Sequence, residues 1–169
     1  MQPDISPPDI YGPDAASLGG GFAGLKVYQC LNWAQDDNHG GDISTIRIYD
    51  GLNKIFGRIG RVINIEGGTQ YRKTHWKNVS DIAWENAYVV VVTNASSSCP
   101  RDLISIAIGE KEDLIQNKPN DSSFSSIKVG PVTVSAGDYF AVWIKETLTA
   151  GGSTPERYNA VNVVLELQE

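Results

Sequence analysis

The chain reads as an all-β protein: one antiparallel β-sandwich of jelly-roll type, residues 25–169, behind an extended N-terminal arm, residues 1–24. Three observations predict this. Short apolar segments recur nine or ten times with turn signals between them, and none carries a three-turn helical period. Seventeen glycines and eight prolines accompany runs of Val and Ile, the composition of many short strands and turns. The stretch 130–145, GPVTVSAGDYFAVWIK, holds a strand, a turn and a second strand whose two faces are both apolar, so it belongs inside a layered architecture. At 169 residues, 41% apolar and 20% charged, the chain is long enough to bury one sizeable core.

The arm comes first. Pro3, Pro7, Pro8 and Pro13 favour extended backbone, and the glycines at 19–21 and 24 add freedom. Ile5, Ile10, Tyr11, Leu18 and Phe22 are spaced apolar anchors, suited to docking on the chain's own sandwich or on a neighbouring copy. Strand alternation starts at Leu25, with Val27, Leu31 and Trp33. A polar loop, AQDDNHGGD, leads to a strand over 43–50, which turns Ile46 and Ile48 inward and Thr45, Arg47 and Tyr49 outward. A strand with a glycine bend is expected over 55–66. The segment 69–79, TQYRKTHWKNV, alternates Tyr71, Lys73, His75 and Lys77 against Arg72, Thr74 and Trp76 and reads as a polar, exposed strand. One helical turn fits 80–86.

The continuous valine run at 87–93 predicts a buried strand, and 103–108, LISIAI, another. One helical turn fits 110–116 before the turn cluster at 117–121. Phe124 to Val129 leads into 130–145, read as a hairpin about Ser135-Ala136-Gly137-Asp138. Phe140, Val142 and Ile144 face the core, opposite inward sets at 88–92 and 161–167. Trp143 lies on the other face, which needs a cover, and the arm is a candidate for it. A last alternating strand spans 158–168.

The net charge of −6 argues against nucleic acid as a partner. The charge is uneven: residues 47–77 carry seven bases and two acids, residues 81–169 six bases and twelve acids. Such patches suit a solvated surface or head-to-tail contact between copies. The opening MQPDISPPDIYGP has no basic n-region and no apolar h-region, so no secretory leader is expected. No run approaches the length of a membrane helix, so no membrane partner is expected. Cys30 and Cys99 are then expected as thiols, and the sequons at Asn78, Asn94 and Asn120 as chance matches.

The motifs give no catalytic, metal or cofactor site. Residues 19–24 fit G-x-G-x-x-G in letters only, because a proline-rich arm precedes them and a strand follows. Asp36, Asn38 and Asp42 resemble the start of a calcium loop, but Arg47 stands where the bidentate Glu belongs. His39 and His75 have no nucleophile or zinc-ligand spacing around them. Trp76 and Tyr71, on the strand read as exposed, are the candidate ligand-stacking pair for a glycan.

The C-terminal third carries a resemblance. Val132-Thr133-Val134-Ser135-Ala136-Gly137-Asp138-Tyr139, the strand Val142-Trp143-Ile144-Lys145, the small-residue loop 149–154 and the closing alternating strand resemble the end of small β-sandwich structural proteins of tailed-phage virions. About 45 residues carry it, and jelly rolls and lectin-like sandwiches share the pattern. The resemblance implies a non-enzymatic virion component: a capsid decoration or cement protein, or a head or tail accessory subunit. It would be made in the host cytoplasm, with copies of itself and a major capsid or other virion protein as partners. The alternative is a carbohydrate- or receptor-binding β-sandwich.

Overall fold

The computed structural model describes residues 17–19, 24–34, 36–49, 55, 67–93, 103–148 and 161–167. Among these residues nine strands form two facing sheets: β1 (Ser17–Gly19), β2 (Leu25–Asn32), β3 (Gly40–Ile48), β4 (Gly68–Asn78), β5 (Trp84–Thr93), β6 (Leu103–Gly109), β7 (Lys128–Val134), β8 (Tyr139–Leu148) and β9 (Val161–Leu167). The larger sheet has the order β3-β2-β4-β8-β6, and the smaller β1-β9-β5-β7. All pairings are antiparallel except the short β1, which adds to β9 in parallel with Leu18 opposite Val163. From β4 onward successive strands alternate between the sheets. β8 lies between β4 and β6, and β5 between β9 and β7, the interleaving expected of a jelly roll.

The core lies between the sheets, where period-2 alternation puts every second residue. The larger sheet contributes Val27, Trp76, Ile104, Ile106, Phe140, Val142 and Ile144, and the smaller Trp84, Ala87, Val89, Val134, Val163 and Leu165. The inward set expected of 130–145 is thus in place, facing walls from β5 and β9.

The stretch 130–145 is not a hairpin. β7 pairs with β5 and β8 with β4 and β6, so the turn carries the chain from one sheet to the other. Asn78 holds this crossing. Its backbone accepts from Gly137 N at 2.8 Å and donates to Asp138 O at 2.9 Å, and its amide Nδ2 reaches Val134 O at 3.1 Å. Fully buried and bonded, Asn78 cannot serve as a sequon. The expected helical turn at 80–86 is absent, because Trp84 already opens β5. Ile48 is inward as expected, but Ile46 is 57% exposed, because register shifts in the β2–β3 pairing break the alternation. Strand β5 is buried on one face only: Ala87 and Val89 are sealed, while Val92 is 41% exposed. The helical turn expected at 110–116 appears as a 3-10 turn at Ile115–Asn117. Apart from the buried Ile55, the strand expected over 55–66 lies outside the described residues, as do Ile5, Ile10, Tyr11 and Phe22.

Three of the four edges of the described sheets are blunted, which guards against edge-to-edge pairing. Pro131 on β7 has no N–H to offer. β6 is closed by two backbone hydrogen bonds between Ile106 and Ser125, at 2.9 and 2.8 Å. β3 is irregular. The β9 edge is capped by β1, over three of its seven residues.

Candidate functional site

The polar face of β4 is covered, which sequence patterning did not show. Lys73, Thr74, His75 and Trp76 are all fully buried. Alternation was read correctly: Trp76 points into the core, and Tyr71, Lys73 and His75 point out of the sandwich. Two loops, residues 36–42 and 110–123, lie over this outer face and shut it from solvent. They also cover the outer face of Trp143, the role for which the arm was a candidate.

The loops are joined to each other by backbone. Gly41 N donates to Asp113 O at 2.9 Å, and Ile115 N to His39 O at 2.8 Å. Gly40 allows this approach. Its φ is +126°, and a Cβ there would stand 2.6 Å from Asp113 O.

The loops are then tied to the sheet through β4 and β8. The Lys73 ammonium donates to Gly41 O at 3.1 Å, Lys111 O at 2.8 Å and Asp113 O at 3.0 Å, and pairs with the Asp113 carboxylate at 2.5 Å. Asp113 also accepts from Trp143 Nε1 at 3.2 Å and from Glu110 N at 3.0 Å. Burial pushes the Lys73 ammonium below the usual lysine range, against the opposing pull of Asp113. His75 Nε2 donates to Lys111 O at 3.2 Å, while its Nδ1 is buried without a hydrogen-bond partner. Burial holds the His75 imidazole down at about 4. Tyr139 donates to Asp42 Oδ1 at 2.5 Å. The phenol is pushed up to about 12, by burial first and then by this bond, and Asp42 is lowered by it.

Cys30 and His39 form the arrangement closest to catalytic chemistry. The thiol sulfur lies 3.7 Å from Nε2 and 3.9 Å from Nδ1 of the imidazole. A cysteine nucleophile needs that imidazole to take its proton. Nε2, however, already accepts the Lys73 backbone N–H at 2.7 Å. Nδ1 lies 2.9 Å from Trp33 O, a pure acceptor, so Nδ1 carries the proton. No lone pair remains for the thiol. Burial pushes Cys30 up to about 11, far from thiolate. The imidazole instead caps β4 where β2 stops pairing with it: the last pair is Gln29 with Thr74, and His39 serves the next free N–H. Sequence reading missed this contact. Its only signal was a Cys and a His nine residues apart across a loop.

The calcium-like loop is accounted for by the same network. Asp42 is engaged by Tyr139 and by Ile43 N at 2.7 Å. Among the described residues, no three metal-ligating side chains converge. No helix among them is long and apolar enough to cross a membrane.

The stacking pair is split. Trp76, fully buried with its Nε1 donating to Thr74 Oγ1 at 2.9 Å, is closed to any ligand. Tyr71 is half-buried on the opposite face. It donates to Asp121 at 2.8 Å, meets Phe124 edge-on at 5.7 Å, and lies beneath the Lys118 ammonium at 4.5 Å. Of the five apolar anchors of the arm, only Leu18 is among the described residues, in β1.

Tyr139→Phe removes one anchor of the 36–42 loop while keeping the ring. The expected loss is about 1.5–3 kcal/mol, the range for a bond to a charged acceptor, measured by urea denaturation at pH 7.

A scan against protein-family models, a search of curated proteins and a search of solved structures each returned no match for this chain.

Proposed function

We propose that this chain is a non-enzymatic structural protein of a virion, a capsid decoration or accessory subunit, that works by self-association and by docking on a lattice. One observation carries the reading: among the described residues, the groups closest to catalytic chemistry are spent inside the molecule. Lys73, His39, Asp113 and Asp42 all hold the loop cover onto the sheet. The apolar groups left over are on the surface, with Ile82 72%, Ile127 68% and Leu31 63% exposed. The resemblance of the C-terminal third supplies the virion setting. The arm supports it too, since β1 reaches a sheet that β2 does not belong to. Many weak copies of such contacts add up to strong lattice binding.

The test is deletion of residues 1–24, with assembly followed by light scattering. Smaller particles, or loss of capsid-bound protein, are expected. Unchanged assembly overturns the arm's part in it.

The glycan-binding alternative now rests on Tyr71, whose ring is flanked by Phe124, Lys118 and Lys145. Glycan-array binding that is abolished by Tyr71→Ala would favour it over assembly.

A further inference from the structure

The valine run of β5 asks for a cover on both faces, and the structure supplies one. Ala87, Val89 and Val91 pack on the core side. On the outer side Tyr88, Val90 and Val164 are half-exposed and Val92 is open, with Lys128 over the Tyr88 ring at 4.7 Å. No described residue lies over this face. A strand that is apolar on both sides is the pattern of a strand buried on both sides.

The way the arm enters the sheet identifies the occupant. β1 runs parallel to β9 with Ser17 opposite Asn162, and Asn162 is opposite Val92 on β5. Ser17, the first residue of β1, therefore lies at the end of the smaller sheet where Val92 and Ile127 are exposed. Two strand spacings, about 10 Å, separate β1 from β5. Six extended residues reach about 20 Å, more than enough. Residues 1–16 carry Ile5, Ile10 and Tyr11 as apolar anchors, and Asp4, Asp9 and Asp14 with no basic side chain. That charge suits Lys128 on this face, with Glu166 at its far end beside Tyr88. The segments 94–102 and 149–160 join strands at the same end, but are mostly small and polar.

We infer that residues 1–16 lie across the outer face of the smaller sheet, with Ile10 and Tyr11 covering Val90, Val92 and Val164. The inference does not depend on the assembly reading, because the arm can come from the same copy or from a neighbour.

The test places a benzophenone photo-cross-linker at Tyr11 in the full-length chain, with products mapped by mass spectrometry. Cross-links to peptides spanning 88–92 or 161–167 are expected, with their loss in the Val92→Glu variant. A second probe at Val92 should return cross-links to residues 1–16. Cross-links from Tyr11 to other surfaces only, or none, overturn the inference. So do cross-links from Val92 to Val92 or Val164 of another chain, which would make the occupant a second sandwich. Mixing isotope-labelled and unlabelled copies separates the two readings: links within one chain uphold the cover without arm exchange, and links between chains uphold both.

Discussion

Replacing Lys73 by methionine is expected to cost about 3–5 kcal/mol of folding stability, the range for removing one partner of a buried ion pair. Methionine fills much of the lysine volume, so the loss is electrostatic and not a cavity. It leaves the Asp113 carboxylate buried, with only Trp143 Nε1 and Glu110 N as donors. It also strips the ammonium from Gly41 O and Lys111 O. Urea denaturation at pH 7 measures the loss. Adding Asp113→Leu to Lys73→Met should cost much less than Asp113→Leu alone, because the stranded charge is gone, giving a coupling of about 1–3 kcal/mol. The loops should open before the sandwich does. Amide exchange at Gly41 and Ile115, the two cross-loop donors, is expected to accelerate in Lys73→Met while exchange at Val89 changes only with global stability. A Lys73→Met protein within about 1 kcal/mol of the parent would show that the ammonium does not hold the cover, against the buried-pair range.

What the sequence made legible follows from what each pattern encodes. Phe140, Val142 and Ile144 could be placed inward because alternation reports which side chains share a face. Alternation does not report what covers that face. The polar row Tyr71, Lys73, His75 reads as solvent-facing because polar strand faces usually are. Here one of the two covering loops, 110–123, has ordinary turn composition, and its contact with β4 spans about forty residues of chain, which no local pattern records. The turn at 135–138 was legible for the same local reason, and its partner strands were not. A reversal between two strands looks alike whether the second strand returns to the same sheet or enters the opposite one. Trp76 could be assigned to one face of β4, but only the sheet order told which face was the core. Cys30 and His39 meet because β2 and β3 fold back on each other, and the role of the imidazole depends on Lys73, thirty-four residues away.

The pH dependence of stability should carry the signature of His75. In the unfolded chain its imidazole titrates near the ordinary value of 6.5, while in the folded protein burial holds it at about 4. Above 6.5 both states are neutral and stability is at its full value. As pH falls below 6.5 the unfolded chain takes up a proton that the folded protein refuses, so stability drops until the folded imidazole also protonates near 4. The expected loss across this window is about 3 kcal/mol. The groups facing the imidazole explain why it resists. Burial comes first and Lys73 adds repulsion of a second positive charge, while the Lys111 carbonyl, which accepts the Nε2 proton, favours the charged form. Asp42 and Asp113 attract the charge, with weaker effect than burial. Tyr139 packs edge-on at 5.5 Å, and Nδ1 is buried without a hydrogen-bond partner. Asp42, Asp121 and Asp138 are lowered in the fold, so their contributions are present above the ordinary carboxylate range and fade only as pH falls below it. The two windows therefore separate. His75→Phe keeps the ring and removes both the titration and the unpartnered Nδ1, leaving Lys111 O still bonded to Lys73. Its stability at pH 7.5 is expected within about 1 kcal/mol of the parent, since one neutral hydrogen bond is lost and one unsatisfied group removed. Its urea midpoint should then fall less from pH 6.5 to 4 than the parent's does. A parent midpoint that is itself flat across that range would mean that the buried imidazole accepts its proton as readily as the unfolded one, and that the cover over β4 opens far more easily than its hydrogen bonds imply.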